Sequence, residues 1–475
     1  MAENKNKVLL TNTAIFMIGS IGSKFIQFFL VPLYTYTLST AEFGITELVL
    51  TAASLLQPLF SMSIADGLLR FGLDENIDKN QVRRCSFLLV GLGTLIAILC
   101  TPLFQLERTL KEWLLFFLAI MILRIYRDVF AINLKIDNKN QLFATDGIIY
   151  TFSLCIFSFL FLVPLKMGIA GYFWANIVAN ALSILFLLYV GHPLKGVLSV
   201  RTDRKLLKEI LLYSLPLILN GISWWITNSS NRFMISYYLT DSDVGIYSVA
   251  SKIPLFISTF TGVFCQAWII SAVIEFDNDR DKKFYAETFQ RYSFLLFLSA
   301  SVLIAFIRPF MSLYVSPEYG IAWKYVPVLI ISTVFSSLAA FYAGIYAAAK
   351  KNINVMITTI GGALLNIVIN ALLIPTIGIM GAAIATMISW FSIFLFRSYD
   401  VSNFFDFSIN KKELVVLSLI TAVQCILVMY MGFLGSVSAI FMIVLVCLVG
   451  RNGIKEIINV IINRYDKRKH QKECS

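Results

Sequence analysis

Apolar and polar residues fall along this chain in long blocks. Fourteen apolar runs, each of about the 20 residues that a bilayer-spanning helix needs or longer, are separated by short polar segments. They lie at 8–37, 45–70, 85–105, 112–134, 142–163, 169–190, 209–239, 246–273, 292–314, 322–349, 353–375, 379–399, 413–431 and 433–450. The pattern predicts an all-α integral membrane protein of about 14 transmembrane helices, with no sizeable soluble domain on either side. The first run follows Lys5 and Lys7, as a signal peptide would. It is too long for one, carries Lys24 in its middle, and lacks a small-residue cleavage site.

Composition sharpens this picture. Hydrophobic residues make up 58% of the 475 and charged residues 14%, against roughly 45–50% and about 25% in an ordinary soluble domain. Mean hydropathy is +0.78. A soluble enzyme, a disordered chain and a fibrous protein are excluded. The seven Cys form no CxxC and sit mostly in apolar runs, and the two His, His192 and His470, fall in a loop and the tail. Neither a disulfide framework nor a zinc or haem site follows from them. No GxxxxGK[ST] run marks an ATP motor, and no cofactor is called for.

The net charge of +11 points to cytoplasmic loops and not to nucleic acid. With the N-terminus inside, 28 of the 39 Lys and Arg fall in inner segments, four (Arg108, Lys111, Lys166 and Lys324) in outer loops, and seven within spans. Both termini are expected in the cytoplasm. The basic tail, 451–475, reads as a topology anchor, with membrane lipid as a further contact.

Two segments recur. Leu38-Ser39-Thr40-Ala41-Glu42-Phe43-Gly44-Ile45 matches Leu239-Thr240-Asp241-Ser242-Asp243-Val244-Gly245-Ile246. Gly168-Ile169-Ala170-Gly171 with Ala175 matches Gly378-Ile379-Met380-Gly381 with Ala385. Each pair keeps its order in the two halves, so spans 1–6 and 7–12 read as a duplication. Both halves hold an even number of spans and insert the same way, related by an axis along the membrane normal, with a transport site expected between them. The expected organisation is an N-lobe (1–191), a cytoplasmic linker (192–208), a C-lobe (209–400), two further spans (401–450) and the tail.

These residues carry a family resemblance: Gly22-Ser23-Lys24 and Phe28-Phe29-Leu30-Val31-Pro32-Leu33-Tyr34 in span 1, Glu42-Phe43-Gly44, Asn231-Arg232-Phe233, Val244-Gly245-Ile246-Tyr247, and the run from Gly378 to Ala385. Over essentially its whole length the chain resembles the polysaccharide transporter family of the multidrug/oligosaccharidyl-lipid/polysaccharide exporter superfamily. It looks most like a Wzx-type flippase. The resemblance implies two six-helix lobes around a cavity, alternating access, and an undecaprenyl-diphosphate-linked oligosaccharide moved between leaflets, with sugar polymerases as further partners. A fourteen-span count matches the superfamily's lipid II flippase, whereas its drug exporters usually have twelve.

Charges inside hydrocarbon cost at least about 2.5–3.5 kcal/mol each at a helix centre. They are kept for a cavity, a partner or a function. The span cations are Lys24, Arg70, Arg124, Arg127, Arg232, Lys252 and Arg308; the acids are Glu47, Asp66, Asp128 and Asp146. Lys24 and Arg124 sit mid-span, beyond the reach of snorkelling. Arg70 and Arg308 lie near span ends and reach the interface. Arg124 and Asp128, like Asp66 and Arg70, are spaced for local ion pairs, which leaves Arg127 unpaired.

A diphosphate headgroup loses hydration in crossing, and the Arg fork and Lys point charge replace it. Lys24, Arg124, Arg127, Arg232 and Lys252 are therefore the expected substrate-binding residues. Asp66 and Asp128 are the expected ion-coupling residues, should the cycle use an ion. Trp224, Trp225, Asn228, Tyr342, Tyr346, Asn366 and Asn370 are of the types that meet sugars, although interface belts and packing use the same aromatics. An anion leaving an inside-negative compartment moves downhill by about 2.3 kcal/mol per charge per 100 mV, so the membrane potential is a candidate drive. Two alternatives compete: a drug/cation antiporter of the same superfamily, and a membrane-embedded polysaccharide polymerase or ligase. The excess of span cations over acids counts against the first, and the short outer loops against the second.

Overall fold

The computed structural model describes the backbone of residues 26–450 other than 75, 198, 279–281, 406 and 408. Lys24, its Gly22-Ser23-Lys24 motif and the basic tail lie outside these residues, as do the side chains of Trp224 and Asn228. Among the described residues every regular element is a helix. The chain divides into two compact units, Met1–Ser248 and Val249–Ser475.

The first unit runs α1 (26–37), α2 (Thr40–Phe60), α3 (Ile64–Gly72), α4 (Lys79–Leu99), the short α5 (Thr101–Phe104) and α6 (Arg108–Glu112), α7 (Leu114–Ile136), α8 (Asn140–Leu162), α9 (Gly168–Gly191), α10 (Arg204–Tyr238) and most of α11 (Asp241–Lys252). The second runs α12 (Pro254–Asn278), α13 (Lys282–Tyr314), a 3₁₀ segment (Pro317–Lys324), α14 (Val326–Ala348), α15 (Asn352–Ile377), α16 (Ile379–Ser402), α17 (Lys411–Tyr430) and α18 (Gly432–Val449). Ten described helices are individually long and apolar enough to cross a membrane. Thirteen of the fourteen expected spans each coincide with a helix or a broken pair, and of span 1 only 26–37, helix α1, lies within the described residues. Span 2 is α2 and α3, parted where Met62 and Ser63 take left-handed conformations (φ 51° and 48°). Span 8 is the end of α11 and then α12, which begins at Pro254.

Capping explains why the first repeat recurs. Ser39 accepts from the Glu42 amide, and the Glu42 carboxylate accepts from the Ser39 amide at 2.8 Å. In the second copy the Asp243 amide donates to Thr240 Oγ1, and the Thr240 amide to Asp243 Oδ2, both at 3.2 Å. Each copy is thus a reciprocal box that satisfies orphan amides at a helix start. The two starts also touch. A Cβ on Gly44 would collide with the Asp241 carbonyl, and one on Gly245 with the Thr40 carbonyl. With an offset of 201, each contact maps onto the other, so a local two-fold relates the first turns of α2 and α11. In the second repeat, Gly168 and Gly378 both take positive φ (56° and 63°) at the starts of α9 and α16. Glycine adopts that conformation without the Cβ penalty.

Within the first unit, α7 packs on α2, α3 and α9, burying Phe117, Ile120, Met121, Ile125 and Val129. Within the second, α14 is buried along most of its length against α12, α13 and α16. Trp268 stacks on Phe341 at 4.1 Å and donates to its carbonyl. The two C-terminal helices are fixed to α13 by a buried amide: Gln424 on α17 donates to the carbonyls of Ser301 on α13 and Ala439 on α18.

Candidate functional site

Helix α7 carries three of the expected site residues, Arg124, Arg127 and Asp128. Arg124 is the eleventh of its 23 residues, so about 15 Å of helix separates it from the nearer end. Its side chain is half-buried. Among the described residues it forms no hydrogen bond and no ion pair; Asp128 and Tyr172 are its electrostatic neighbours. The local Arg124–Asp128 pair expected from the spacing does not form. Asp128 is exposed and accepts instead from Gln57 Nε2 on α2.

Arg127, expected to be unpaired, is the locked cation. Its Nη2 lies 2.9 Å from Asp146 Oδ2 on α8, its Nε donates to Ser183 Oγ on α9 at 2.6 Å, and its guanidinium lies 4.0 Å from the ring centre of Tyr150. Ser183 in turn donates to Asp146, which is almost fully buried. This network ties α7, α8 and α9 together.

Arg232 on α10 is also held. Its Nη2 lies 3.3 Å from Glu47 Oε2 on α2, and its Nε donates to Ser248 Oγ at 2.9 Å. Glu47 is 5% exposed. The first unit therefore brings Arg124, Arg127 and Arg232 together with Glu47, Asp128 and Asp146 in helix interiors. The set is formally neutral, with two of the three guanidiniums held directly by carboxylates. Asp66 and Arg70 are exposed on α3 and form no ion pair with each other. Lys252 is half-buried at the end of α11, in the second unit.

Several sugar-type candidates serve packing. Trp225 is buried and donates to the Thr51 carbonyl and Ser54 Oγ. Tyr342 and Tyr346 are fully buried and donate to Ser398 and Asp400. Asn370 donates to Asn366. Arg397 is one of the 28 cations assigned by the charge pattern to inner segments. It is instead 4% exposed in α16, donating to Thr358, Thr359 and the carbonyls of Val355 and Ala339. Among the described residues no cluster of three or more His, Cys, Asp or Glu could hold a metal.

The family model for polysaccharide biosynthesis protein matches residues 9–269, more than half of the chain. The chain belongs to the polysaccharide biosynthesis protein family. The MatE model matches residues 216–372. Among solved structures, the chain is similar to the lipid II flippase MurJ in its inward closed conformation. The TM-score is 0.69 and the identity 16%, over 94% of this chain and 99% of that one. An inward-facing multidrug resistance MATE transporter gives a TM-score of 0.63 at 16% identity, over 82% and 98%. At these identities the likeness shows the fold alone: an all-helical fold of about 14 helices, like that of MurJ and the MATE transporters. An uncharacterized membrane protein of Methanocaldococcus jannaschii is 21% identical over 238 residues. The match covers 48% of this chain and 46% of that protein, so about half the relative's length is spanned. This family member is a multi-pass integral membrane protein.

Proposed function

We propose that the protein is a flippase for undecaprenyl-diphosphate-linked oligosaccharide repeat units. It moves them from the inner to the outer leaflet of a bacterial cytoplasmic membrane by alternating access, for a surface polysaccharide such as O-antigen or capsule. Both termini face the cytoplasm, spans 1–6 and 7–12 act as the two lobes, and a sugar polymerase takes the product. The observation that carries this reading is Arg124. A guanidinium in the middle of the expected fourth span, with no hydrogen-bonded counterion among the described residues, is costly unless a ligand compensates it. In a member of a polysaccharide biosynthesis family, a lipid diphosphate is the fitting anion, because its oxygens match the guanidinium fork.

The test is transbilayer movement in proteoliposomes. A diphosphate-linked oligosaccharide lipid should become accessible on the far leaflet faster with the protein than without it. A cationic dye should gain nothing. Dye movement without lipid movement would instead support the drug-antiporter reading, which the MatE match and the exposed Asp128 carboxylate favour.

A further inference from the structure

Arg232 lies where three helices meet. Glu47 reaches it from α2 and Ser248 from α11, while Arg232 itself belongs to α10. Towards the start of α2 the joint is as tight as backbones allow, at Gly44 and Gly245, with Thr40 Oγ1 and Ser242 Oγ only 2.6 Å apart. Further along α2, Trp225 is hydrogen-bonded to Thr51 and Ser54. So α2 is fastened to α10 and α11 from Thr40 to Ser54. Between Gly44 and Ser54, Glu47 is its sole charged residue.

A buried carboxylate–guanidinium pair is a poor way to hold an apolar joint, since desolvation offsets most of the attraction. It suits a joint that must come apart when another anion competes. A carboxylate and a phosphate present similar oxygen pairs to the planar fork. We propose that Arg232 and Ser248 form an oxyanion subsite that Glu47 occupies in this conformation. A phosphate group displaces Glu47 and thereby loosens α2 from α10 and α11. Glu47 is then a positioning residue that stands in for the substrate's phosphate. The inference rests on the anionic substrate proposed above, and it ties arrival of that substrate to separation of these helices. Without the anion, parting them leaves Arg232 and Glu47 each without the other in an apolar setting.

The test uses the full chain in nanodiscs carrying Thr40→Cys and Ser242→Cys, with the linked peptide read by mass spectrometry. Inorganic pyrophosphate is the probe, and chloride at matched ionic strength the control. Pyrophosphate should slow disulfide formation roughly tenfold, the factor expected when a charge-assisted hydrogen bond across the joint is lost. Glu47→Gln should slow it without pyrophosphate and abolish the response, whereas Glu47→Asp should keep the response. If Glu47→Gln does not fold, the Glu47→Asp response decides. A rate indifferent to pyrophosphate in the parent chain, or a full response in Glu47→Gln, would overturn the subsite. Lipid transport with an indifferent cross-link would remove the subsite and keep the flippase. A cross-link response without lipid transport would do the reverse.

Discussion

Arg124 and Arg127 stand one turn apart on α7, and their surroundings predict opposite consequences of removing them. Arg127→Ala strands Asp146, whose side chain is 3% exposed, with Ser183 as its remaining hydrogen-bond partner among the described residues. Breaking a buried pair by removing one partner costs about 3–5 kcal/mol. Arg127 retains 18% side-chain exposure, which places the expected loss near the lower end, about 3 kcal/mol. Arg124→Ala removes no hydrogen bond or ion pair among the described residues, so it should cost no more than about 0.5 kcal/mol. Arg127→Met combined with Asp146→Leu removes both charges and should recover most of the loss. Thermal unfolding of the purified variants in one detergent, followed by tryptophan fluorescence and monodispersity, gives the ranking. Arg124→Ala and the double variant should melt near wild type, and Arg127→Ala well below. An Arg127→Ala protein as stable as wild type, or an Arg124→Ala protein that collapses, would refute the division of roles.

Three further outcomes test the fold. Arg397→Lys keeps the charge but cannot span Thr358, Thr359, Val355 and Ala339. The loss of charge-assisted hydrogen bonds should lower stability by about 3 kcal/mol, read in the same melting assay. Gly245→Val forces a branched side chain against the Thr40 carbonyl and should greatly reduce the yield of folded protein. Gly91→Ala, where an added Cβ meets nothing within 4 Å, should raise stability by about 0.5–1 kcal/mol.

The helix pattern was legible because apolar runs of bilayer length admit few alternatives. The repeats were legible as letters, and the structure supplies their cause. Ser39 with Glu42 and Thr240 with Asp243 are the same cap, and Gly44 and Gly245 are reciprocal contacts. Pairing was the part that spacing could not give. Arg124 and Asp128 are four apart, yet Asp128 turns to Gln57, 71 positions away. Arg127 finds Asp146 across the α7–α8 turn. Helix rotation decides which neighbour a long side chain meets, and a single helix's sequence does not encode it. The antiparallel turn at 137–139 offered one clue, since it brings Asp146 towards the depth of Arg127. Arg397 carried no such clue. Its partners are Thr hydroxyls and backbone carbonyls, which no charge pattern reveals.

The central claim is that Arg124 meets a lipid diphosphate inside the membrane. Its most direct test is the initial rate of transbilayer movement of a diphosphate-linked oligosaccharide lipid in proteoliposomes held at an inside-negative potential, wild type beside Arg124→Ala. Movement that depends on the potential in wild type and is lost in a folded, monodisperse Arg124→Ala protein is the predicted result. Undiminished movement in that variant would contradict it.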